Sequence, residues 1–416
     1  MHGPDLVREV TRRRVLLALR DGGPMSRADV ARRTGLARPT VSGVVAQLIR
    51  AGWVQEAGPG ESSGGRRPIL LHLNPAARLA VGAELSAGHV RAVLADMAGN
   101  ILVRHKERIQ PGHPAPAVAR LLAGIRTVLD QAPPGAPVVG VGVGLTGLVD
   151  RAGGVWRHSP HFPGPEQPVA EQVQEATGFP VVVENDARCL ALGEMQAALW
   201  RRAGSPASPP RSLIAVRVGV SIGAGLIVGG ELYAGAHEGA GELGHVQVVE
   251  EGPRCACGRY GCLEAVAAAG AIARAAVRQI QQGRPSDIAR RVGGDLDRVL
   301  ATTVIEAAQG GDALAREVLA QAGRYIGVAV GNLINLFDPE CVVIGGGTSR
   351  AGELLLGPMR EAAQARALPV QGRHVPIRLA THGEDGVAVG AAALVTLPLL
   401  GLPDPFGVPA LSRTAH

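Results

Sequence analysis

One histidine and three cysteines lie close together in the second half of the chain, at His245, Cys255, Cys257 and Cys262. An imidazole and three thiolates fill a tetrahedral coordination shell, and the His-x9-Cys-x-Cys-x4-Cys spacing lets a short glycine-rich loop close around one ion. In a cytosolic chain such a cluster favours a metal site over disulfides. We therefore predict one structural zinc ion per chain, with no position left open for a catalytic water. The alternative is three free buried cysteines.

A second group of polar residues stands where a predicted strand ends. The apolar run Val181–Val183 is followed by Glu184, Asn185 and Asp186. Ligands of open α/β sheets bind at the carboxyl ends of strands, and amide and carboxylate side chains can each bond adjacent hydroxyl groups. Asn185 and Asp186 are thus candidates for ligand binding, and the alternative is that they cap the next helix.

Composition narrows the class of protein. The 416-residue chain has a net charge of +6, and Lys106 is its only lysine, so the positive charge is carried almost entirely by arginine. This charge permits nucleic-acid binding, although genomic codon usage explains the arginines equally well. The first residues include Asp5 and Arg8 without an apolar stretch, and no later window approaches the roughly 18 apolar residues of a membrane span. We expect a cytoplasmic protein of two or three domains, neither secreted nor membrane-spanning.

The first seventy or so residues have the pattern of a helix-turn-helix. Apolar residues at helical spacing predict a helix over Val7–Leu19. Ser26, with Asp29 three residues later, begins a second helix, Gly35 turns the chain, and a third helix contains Thr40. In this geometry the third helix enters the major groove of DNA. The predicted DNA contacts on that helix are Arg38, Thr40, Ser42 and Gln47.

Two predicted strands, Trp53–Glu56 and Ile69–Leu73, flank a loop and complete a winged helix-turn-helix. The loop carries Arg66 and Arg67, which we expect to contact the DNA backbone or the minor groove. The alternative is a small helical bundle used for dimerisation, with the arginines on a solvated face. We prefer the winged helix-turn-helix because turn and wing occur together in the order that this domain requires.

The pattern of strand-like and helical stretches in the remaining chain predicts an α/β fold. Strand-like runs at Val138–Val143, Leu213–Val218 and Val342–Ile344 are interspersed with alanine-rich helical stretches. Glycine-rich turns recur after the strands, at 140–144, 219–225 and 345–347. This ordered series indicates two related lobes around a cleft.

Several motifs resemble one protein family. The segments Gly35–Ser42 and Gly65–Pro68 are similar to the winged helices of repressors in the ROK family (repressors, open reading frames and kinases). Glu242–His245 and Cys255–Glu264 resemble the signature of that family, and the similarity extends from about Val7 to Leu399. The resemblance implies a two-lobed, actin-like or sugar-kinase-like α/β domain after the winged helix. It also implies that sugar hydroxyls are bound by Asn185, Asp186, Glu242, His245 and Glu264, with Asp186 in the place of the kinase base.

On this resemblance the chain divides into three parts. Residues 1–75 form the winged helix-turn-helix DNA-binding domain. Residues 76–185, with a C-terminal helix at about 386–400, form the first lobe of the sugar-kinase-like domain. Residues 186–385 form the second lobe, which contains the zinc site. A bound sugar would then close the cleft between the lobes.

The sequence departs from the kinases of this family at both ATP phosphate loops. An Asp-x-Gly-Gly-Thr-type turn is expected where this chain has Glu84–His89, and Val220 replaces a threonine hydroxyl in the second loop. We infer that sugar recognition was kept and phosphoryl transfer was lost, with Asp186 as a vestigial base. Arg217, just before the second loop, is either an edge-strand arginine or a group that accepts a sugar phosphate.

These observations predict a sugar-responsive transcriptional repressor of carbohydrate uptake or catabolism genes. We expect a homodimer or a dimer of dimers, whose partners are operator DNA and a sugar or sugar phosphate. The sugar would move the winged helices out of register with a pseudo-palindromic operator. One alternative is an active ATP-dependent sugar kinase with a fused DNA-binding domain. Another is a regulator controlled by a partner protein, against which the joint presence of Glu242, His245 and Glu264 argues.

Overall fold

The computed structural model of the protein describes residues 3–60, 67–201, 210–369 and 375–400. Within these ranges the strands, β1 to β15, are Met25–Ser26, Val54–Pro59, Ile69–Leu73, Leu79–Leu85, His89–Asp96, Ile101–Arg108, Val138–Leu145, Leu148–Asp150, Val155–His158, Val181–Asn185, Leu213–Val218, Ile222–Val228, Glu231–Tyr233, Cys341–Gly345 and Ile377–Leu379. The α-helices, α1 to α13, are Gly3–Gly22, Arg27–Thr34, Arg38–Arg50, Pro114–Asp130, Val169–Thr177, Asp186–Arg201, Leu263–Ala267, Ala269–Gln281, Asp287–Arg291, Ala301–Gln309, Ala313–Phe337, Glu353–Arg366 and Gly386–Thr396. No helix in the described ranges combines the length and the apolar character needed to cross a lipid bilayer.

The N-terminal domain is a winged helix-turn-helix, as predicted. Ser26 begins α2 with a reciprocal cap: its hydroxyl accepts a hydrogen bond from the Asp29 amide, and the Asp29 carboxylate accepts one from the Ser26 amide. Gly35 ends this helix in the left-handed conformation. Strands β2 and β3 pair antiparallel as the wing. The two-residue β1 joins β3 as a further strand that the sequence pattern did not reveal.

The rest of the described chain forms two lobes whose sheets have the same topology. The first sheet has the strand order β10-β7-β4-β5-β6, and the second has the order β13-β12-β11-β14-β15. In each sheet the first three strands form an antiparallel meander. The fourth and fifth strands then add in parallel on the other side of the first. The repeated topology confirms the predicted α/β fold with two related lobes.

Two helices pack together between the two sheets. Helix α6 lies on β11 and β12 of the second sheet, and the C-terminal α13 returns to pack on β4 and β7 of the first. Helix α6 also contacts β7 and β10, so it touches both sheets. The predicted limits between the lobes, at residues 185 and 385, therefore stay a prediction.

One hydrophobic core continues from the winged helix into the first lobe. Leu19 and Trp53 of the winged helix are buried in the same cluster as Met97, which follows β5, and Leu400, which lies just after α13. Trp200, in the last turn of α6, packs against this cluster. The winged helix is thus attached by apolar contacts to the ends of both central helices.

We expect Gly390→Ala to destabilise the protein, because the backbones of α6 and α13 are in close contact there. A Cβ at residue 390 would lie 1.6 Å from the carbonyl oxygen of Cys189. Overpacking of a core typically costs about 1–3 kcal/mol of unfolding free energy, which denaturant unfolding can measure. The control is Gly357→Ala in α12, where no atom lies within 4 Å of the added methyl group. This control should gain about 0.5–1 kcal/mol, and equal stabilities of the two variants would contradict the close helix contact.

Candidate functional site

A cavity at the carboxyl end of β10 brings together the residues predicted to bind sugar. This cavity, the candidate sugar pocket, is lined by all five of them: Asn185, Asp186, Glu242, His245 and Glu264. Its walls also include four residues that sequence reasoning missed, namely Thr146, Pro160, His161 and Ser221. Burial lowers the pKa of His161, so its neutral imidazole can both donate and accept a hydrogen bond. No local pattern identifies His161, because it lies in an irregular segment after β9.

Asn185 and Asp186 stand at the junction of β10 and α6. Asn185 Oδ1 accepts hydrogen bonds from the amides of Ala187 (2.9 Å) and Arg188 (3.3 Å), so Asn185 does cap the helix. Asp186 Oδ1 accepts a hydrogen bond from the Ala187 amide at 2.8 Å, but its buried Oδ2 accepts none among the described residues. A buried acceptor without a donor costs about 1–3 kcal/mol. Asp186 Oδ2 lies 3.3 Å from Arg217 Nη1, so an ion pair offsets part of that cost.

A buried arginine connects Asp186 to the first sheet. Arg217 on β11 is 4% exposed, and its guanidinium lies 3.0 Å from Glu84 and 3.3 Å from Asp186. Strand β11 is central in its sheet, so the expectation of an edge-strand arginine is wrong. Burial raises the pKa of Asp186, and the Arg217 guanidinium limits that rise. Burial also acts on Glu84, yet His89, Arg217 and Arg91 hold the pKa of Glu84 well below its usual range.

The second lobe supplies the opposite wall of the candidate sugar pocket. A 3-10 turn over Leu243–His245 follows Glu242, and His245 Nε2 lies 3.9 Å from a Glu242 carboxylate oxygen. Glu264 lies in the first turn of α7, and its carboxylate accepts a hydrogen bond from the Ile222 amide at 3.2 Å. Carboxylates thus face the cavity from several sides, an arrangement that suits a ligand with many hydroxyl groups.

His245 also faces the three cysteines through its other ring nitrogen. Its Nδ1 lies 3.6 Å from Cys255 Sγ, and the sulfurs of Cys257 and Cys262 lie 3.7 Å apart. All four possible ligand atoms lie within 4.8 Å of one another. Tetrahedral zinc with its usual bond lengths requires about 3.8 Å between two sulfurs and about 3.6 Å between sulfur and nitrogen. The cluster therefore fits a zinc ion, and the two nitrogens of His245 face the cluster and the sugar pocket separately.

The cysteine loop contains a turn that requires glycine and thiols with different pKa values. Gly261 has a φ of 68°, and a Cβ there would lie 1.7 Å from the carbonyl oxygen of Val249, so only glycine allows the turn before Cys262. A hydrogen bond from the Arg259 backbone amide lowers the pKa of Cys257 to about 7. Burial raises the pKa of Cys262 to about 12. A metal that binds here displaces the proton of the buried thiol, so its affinity depends on pH.

Helix α3 of the winged helix has one buried and one exposed face. The buried face consists of Val41, Val45 and Leu48. The exposed face carries all four residues predicted to contact DNA: Arg38, Thr40, Ser42 and Gln47. Arg67 is exposed just before β3, and Arg66 lies outside the described residues. The helix that is predicted to enter the major groove therefore presents its polar side outward.

Comparison with known proteins agrees with this architecture. The chain matches the family model of the ROK family over residues 80–397 and that of the MarR family over residues 9–67. It is 29% identical to the xylose repressor of Caldicellulosiruptor bescii, over 96% of this chain and 98% of that protein. It is 30% identical to the N-acetylglucosamine repressor of Escherichia coli O157:H7, over 95% of this chain and 94% of that protein.

A similar architecture has been seen in a solved structure. The fold resembles that of a ROK family transcriptional regulator, a homologue of the E. coli MLC protein, with a TM-score of 0.75 and 28% identity. That similarity covers 95% of this chain and 97% of the other. Because the ROK model spans most of the sequence and the relatives match it nearly end to end, the chain belongs to the ROK family.

Proposed function

We propose that this protein is a sugar-responsive transcriptional repressor of carbohydrate uptake or catabolism genes. The observation that carries the proposal is the position of α6. Asp186 begins this helix in the candidate sugar pocket, and Trp200 near its other end packs on the core of the winged helix. Its 16 residues span about 24 Å, so one rigid element connects the pocket to the winged helix. The xylose and N-acetylglucosamine repressors among its relatives support this function.

The pocket favours a polyhydroxylated ligand. Asp186, Glu242 and Glu264 supply carboxylate acceptors, while Asn185 and the neutral His161 can donate as well as accept. A sugar with the wrong arrangement of hydroxyl groups leaves buried polar groups unpaired, at about 1–3 kcal/mol each. The pocket therefore has the chemistry to select one sugar among several.

The geometry of the two former phosphate loops supports a loss of kinase activity. Glu84 forms an ion pair with Arg217, with 3.0 Å between Glu84 Oε1 and Arg217 Nη2. The Ser86 hydroxyl forms a hydrogen bond with the side chain of His89 in the same turn, with 2.9 Å between Ser86 Oγ and His89 Nδ1. Val220 presents an exposed methyl-bearing side chain where a hydroxyl would contact phosphate. We infer that neither turn binds the phosphates of ATP.

Zinc at the His245, Cys255, Cys257 and Cys262 cluster would have a structural role. Four protein ligands complete a tetrahedral shell, so no coordination position remains for water or substrate. The ion, when bound, would fix the loop between the turn that carries His245 and the helix that carries Glu264. Both residues line the sugar pocket, so an ordered loop is a condition for sugar binding.

The test of the proposed function is the effect of sugar on DNA affinity. Full-length protein would be titrated, by fluorescence anisotropy, into a duplex that it has itself selected from random DNA. We expect one of xylose, glucose or N-acetylglucosamine to weaken binding about 5- to 150-fold, because allosteric coupling is typically about 1–3 kcal/mol. Unchanged DNA affinity with a sugar bound would contradict the proposal. A coupled assay with ATP tests the kinase alternative, which phosphorylation of any of these sugars would support.

We expect Asp186→Asn to weaken sugar binding without changing operator affinity in the absence of sugar. The substitution removes the charge from a buried acceptor, and hydrogen bonds to charged groups are worth about 1.5–3 kcal/mol. Isothermal titration should show a dissociation constant raised at least tenfold, and a higher sugar concentration should be needed to release DNA. The control is Asp130→Asn, an exposed aspartate at the end of α4. Equal sugar affinities of the two variants would show that Asp186 does not contribute to sugar binding.

A further inference from the structure

One wall of the candidate sugar pocket begins with a loop of very small residues. This segment, residues 234–241, joins β13 to Glu242, and we call it the pocket loop. It consists of alanine and glycine apart from His237 and Glu238. Its last two residues line the pocket beside Glu242, and backbone hydrogen bonds hold this end of the loop to β12. The small side chains of the loop offer little to fix its middle.

Arg188, in the first turn of α6, holds the pocket loop from outside. Its Nη2 donates hydrogen bonds to the backbone carbonyls of Ala234, at 3.3 Å, and of Glu238. Its Nη1 lies 2.9 Å from Glu238 Oε2, and its side chain is 3% exposed. A guanidinium is planar and presents its donors in fixed directions. These contacts therefore fix the start and the middle of the loop relative to α6.

Arg188 belongs to a cluster of four charged residues that connects the first sheet to the pocket loop. The other members are Glu184 near the end of β10, Arg151 just after β8, and Glu238. Glu184 Oε1 lies 3.1 Å from Arg188 Nη1, and Glu184 Oε2 lies 3.2 Å from Arg151 Nη1. Arg151 Nε lies 3.9 Å from Glu238 Oε2. Two cations thus face two carboxylates, and loss of the Glu238 carboxylate would leave a surplus positive charge beside the buried Glu184 and Arg188.

The backbone of Glu238 has a conformation that is uncommon for a residue with a side chain. Its φ is 59°, in the left-handed region that favours glycine. Such a conformation persists where the surrounding contacts fix it. Arg188 provides these contacts, because it binds both the carbonyl and the carboxylate of Glu238. Glu238 is thus tied to α6 through its backbone and its side chain together.

We propose that the contact between Arg188 and Glu238 couples the sugar pocket to the winged helix. The pocket loop leads into the sugar pocket, and Trp200 near the other end of α6 packs on the core of the winged helix. A shift of the loop when sugar binds is passed to α6 through Arg188. Neither Arg188 nor Glu238 lines the pocket, so both are positioning residues. The inference rests on the proposed sugar-responsive function and assigns the contact through which it is regulated.

The experiment measures the ratio of the DNA dissociation constants with and without saturating sugar. It uses full-length protein, its selected duplex, and whichever of xylose, glucose and N-acetylglucosamine binds the wild type. We expect Glu238→Gln to lower this ratio at least threefold, because the carboxylate that ties the loop to Arg188 is lost. The control Glu231→Gln removes an exposed carboxylate on β13 and should leave the ratio unchanged. A substitution that only weakens sugar binding does not change the ratio at saturation.

A second variant, Glu238→Gly, separates the carboxylate from the backbone. A φ of 59° suits glycine, so the loop can keep its conformation while the ion pair is lost, and we expect the same fall in the ratio. With a responsive wild type, an unchanged ratio in either folded variant overturns the inference and assigns the signal to Asp186, which begins α6 within the pocket. A wild type whose DNA affinity ignores bound sugar contradicts the proposed function, and this inference with it.

Discussion

Replacing Cys262 with serine should prevent zinc from binding at the proposed His245, Cys255, Cys257 and Cys262 site and should abolish the response to sugar. Cys262 is 1% exposed and lies in the cluster formed with His245 and two further cysteines. Structural zinc sites contribute apparent binding energies of roughly 10–16 kcal/mol, so the loss of a thiolate ligand removes a large part of the energy that orders the loop. Without that order His245 and Glu264 no longer face the pocket together. Elemental analysis and sugar titration measure the two effects, with about one zinc ion per chain expected in the unmutated protein.

The matched control for this experiment is Cys341→Ser. Cys341 is half-buried at the start of β14 and does not belong to the cluster, so its replacement should leave zinc content and sugar affinity unchanged. Wild-type protein that is prepared without chelators and contains no zinc would overturn the metal assignment. A full sugar response in the zinc-free Cys262→Ser variant would instead show that the metal does not order the pocket.

Replacing Arg38 or Gln47 with alanine should weaken operator binding at particular base pairs. Both residues lie on the exposed face of α3, the helix that we predict to enter the major groove, from which side chains can reach base edges. The loss of a direct base contact costs about 1–3 kcal/mol and relaxes specificity at that position. Competition binding between the selected operator and variants with single base changes would measure this effect.

Substitutions in the wing should have a different effect on DNA binding from substitutions in α3. Replacing Arg66 and Arg67 should weaken binding to all sequences and flatten its salt dependence, because each phosphate contact contributes about 0.9 to the log-log slope. The control is Arg290→Ala, whose side chain is 79% exposed on α9 in the second lobe. Operator affinity that is unchanged after loss of all four side chains in the winged helix would show that this domain does not read DNA as proposed.

Features that depend on neighbouring residues were predictable from the sequence. The Ser26–Asp29 cap and the turn at Gly35 are set by spacing within one helix, and the structure confirms both. The predicted strand Leu213–Val218 has the observed bounds. The candidate metal ligands follow from a motif that fits within 18 positions, from His245 to Cys262. Strand β1 escaped prediction because two residues are too few to show an alternating pattern.

The sequence by itself determined the winged helix, the α/β class and the candidate ligands of metal and sugar, because each of these leaves a pattern along a short stretch of chain. The tertiary structure alone decided the surroundings of those residues. Glu84 and Arg217 are 133 positions apart and meet because β4 and β11 bring their side chains to the same cleft. Trp200 reaches the winged helix because α6 crosses between the sheets. Periodicity indicates which face of an element is buried, but it does not indicate which element covers that face. The ion pairs that connect Glu84 to Arg217 and Arg217 to Asp186 are therefore visible only in the folded chain.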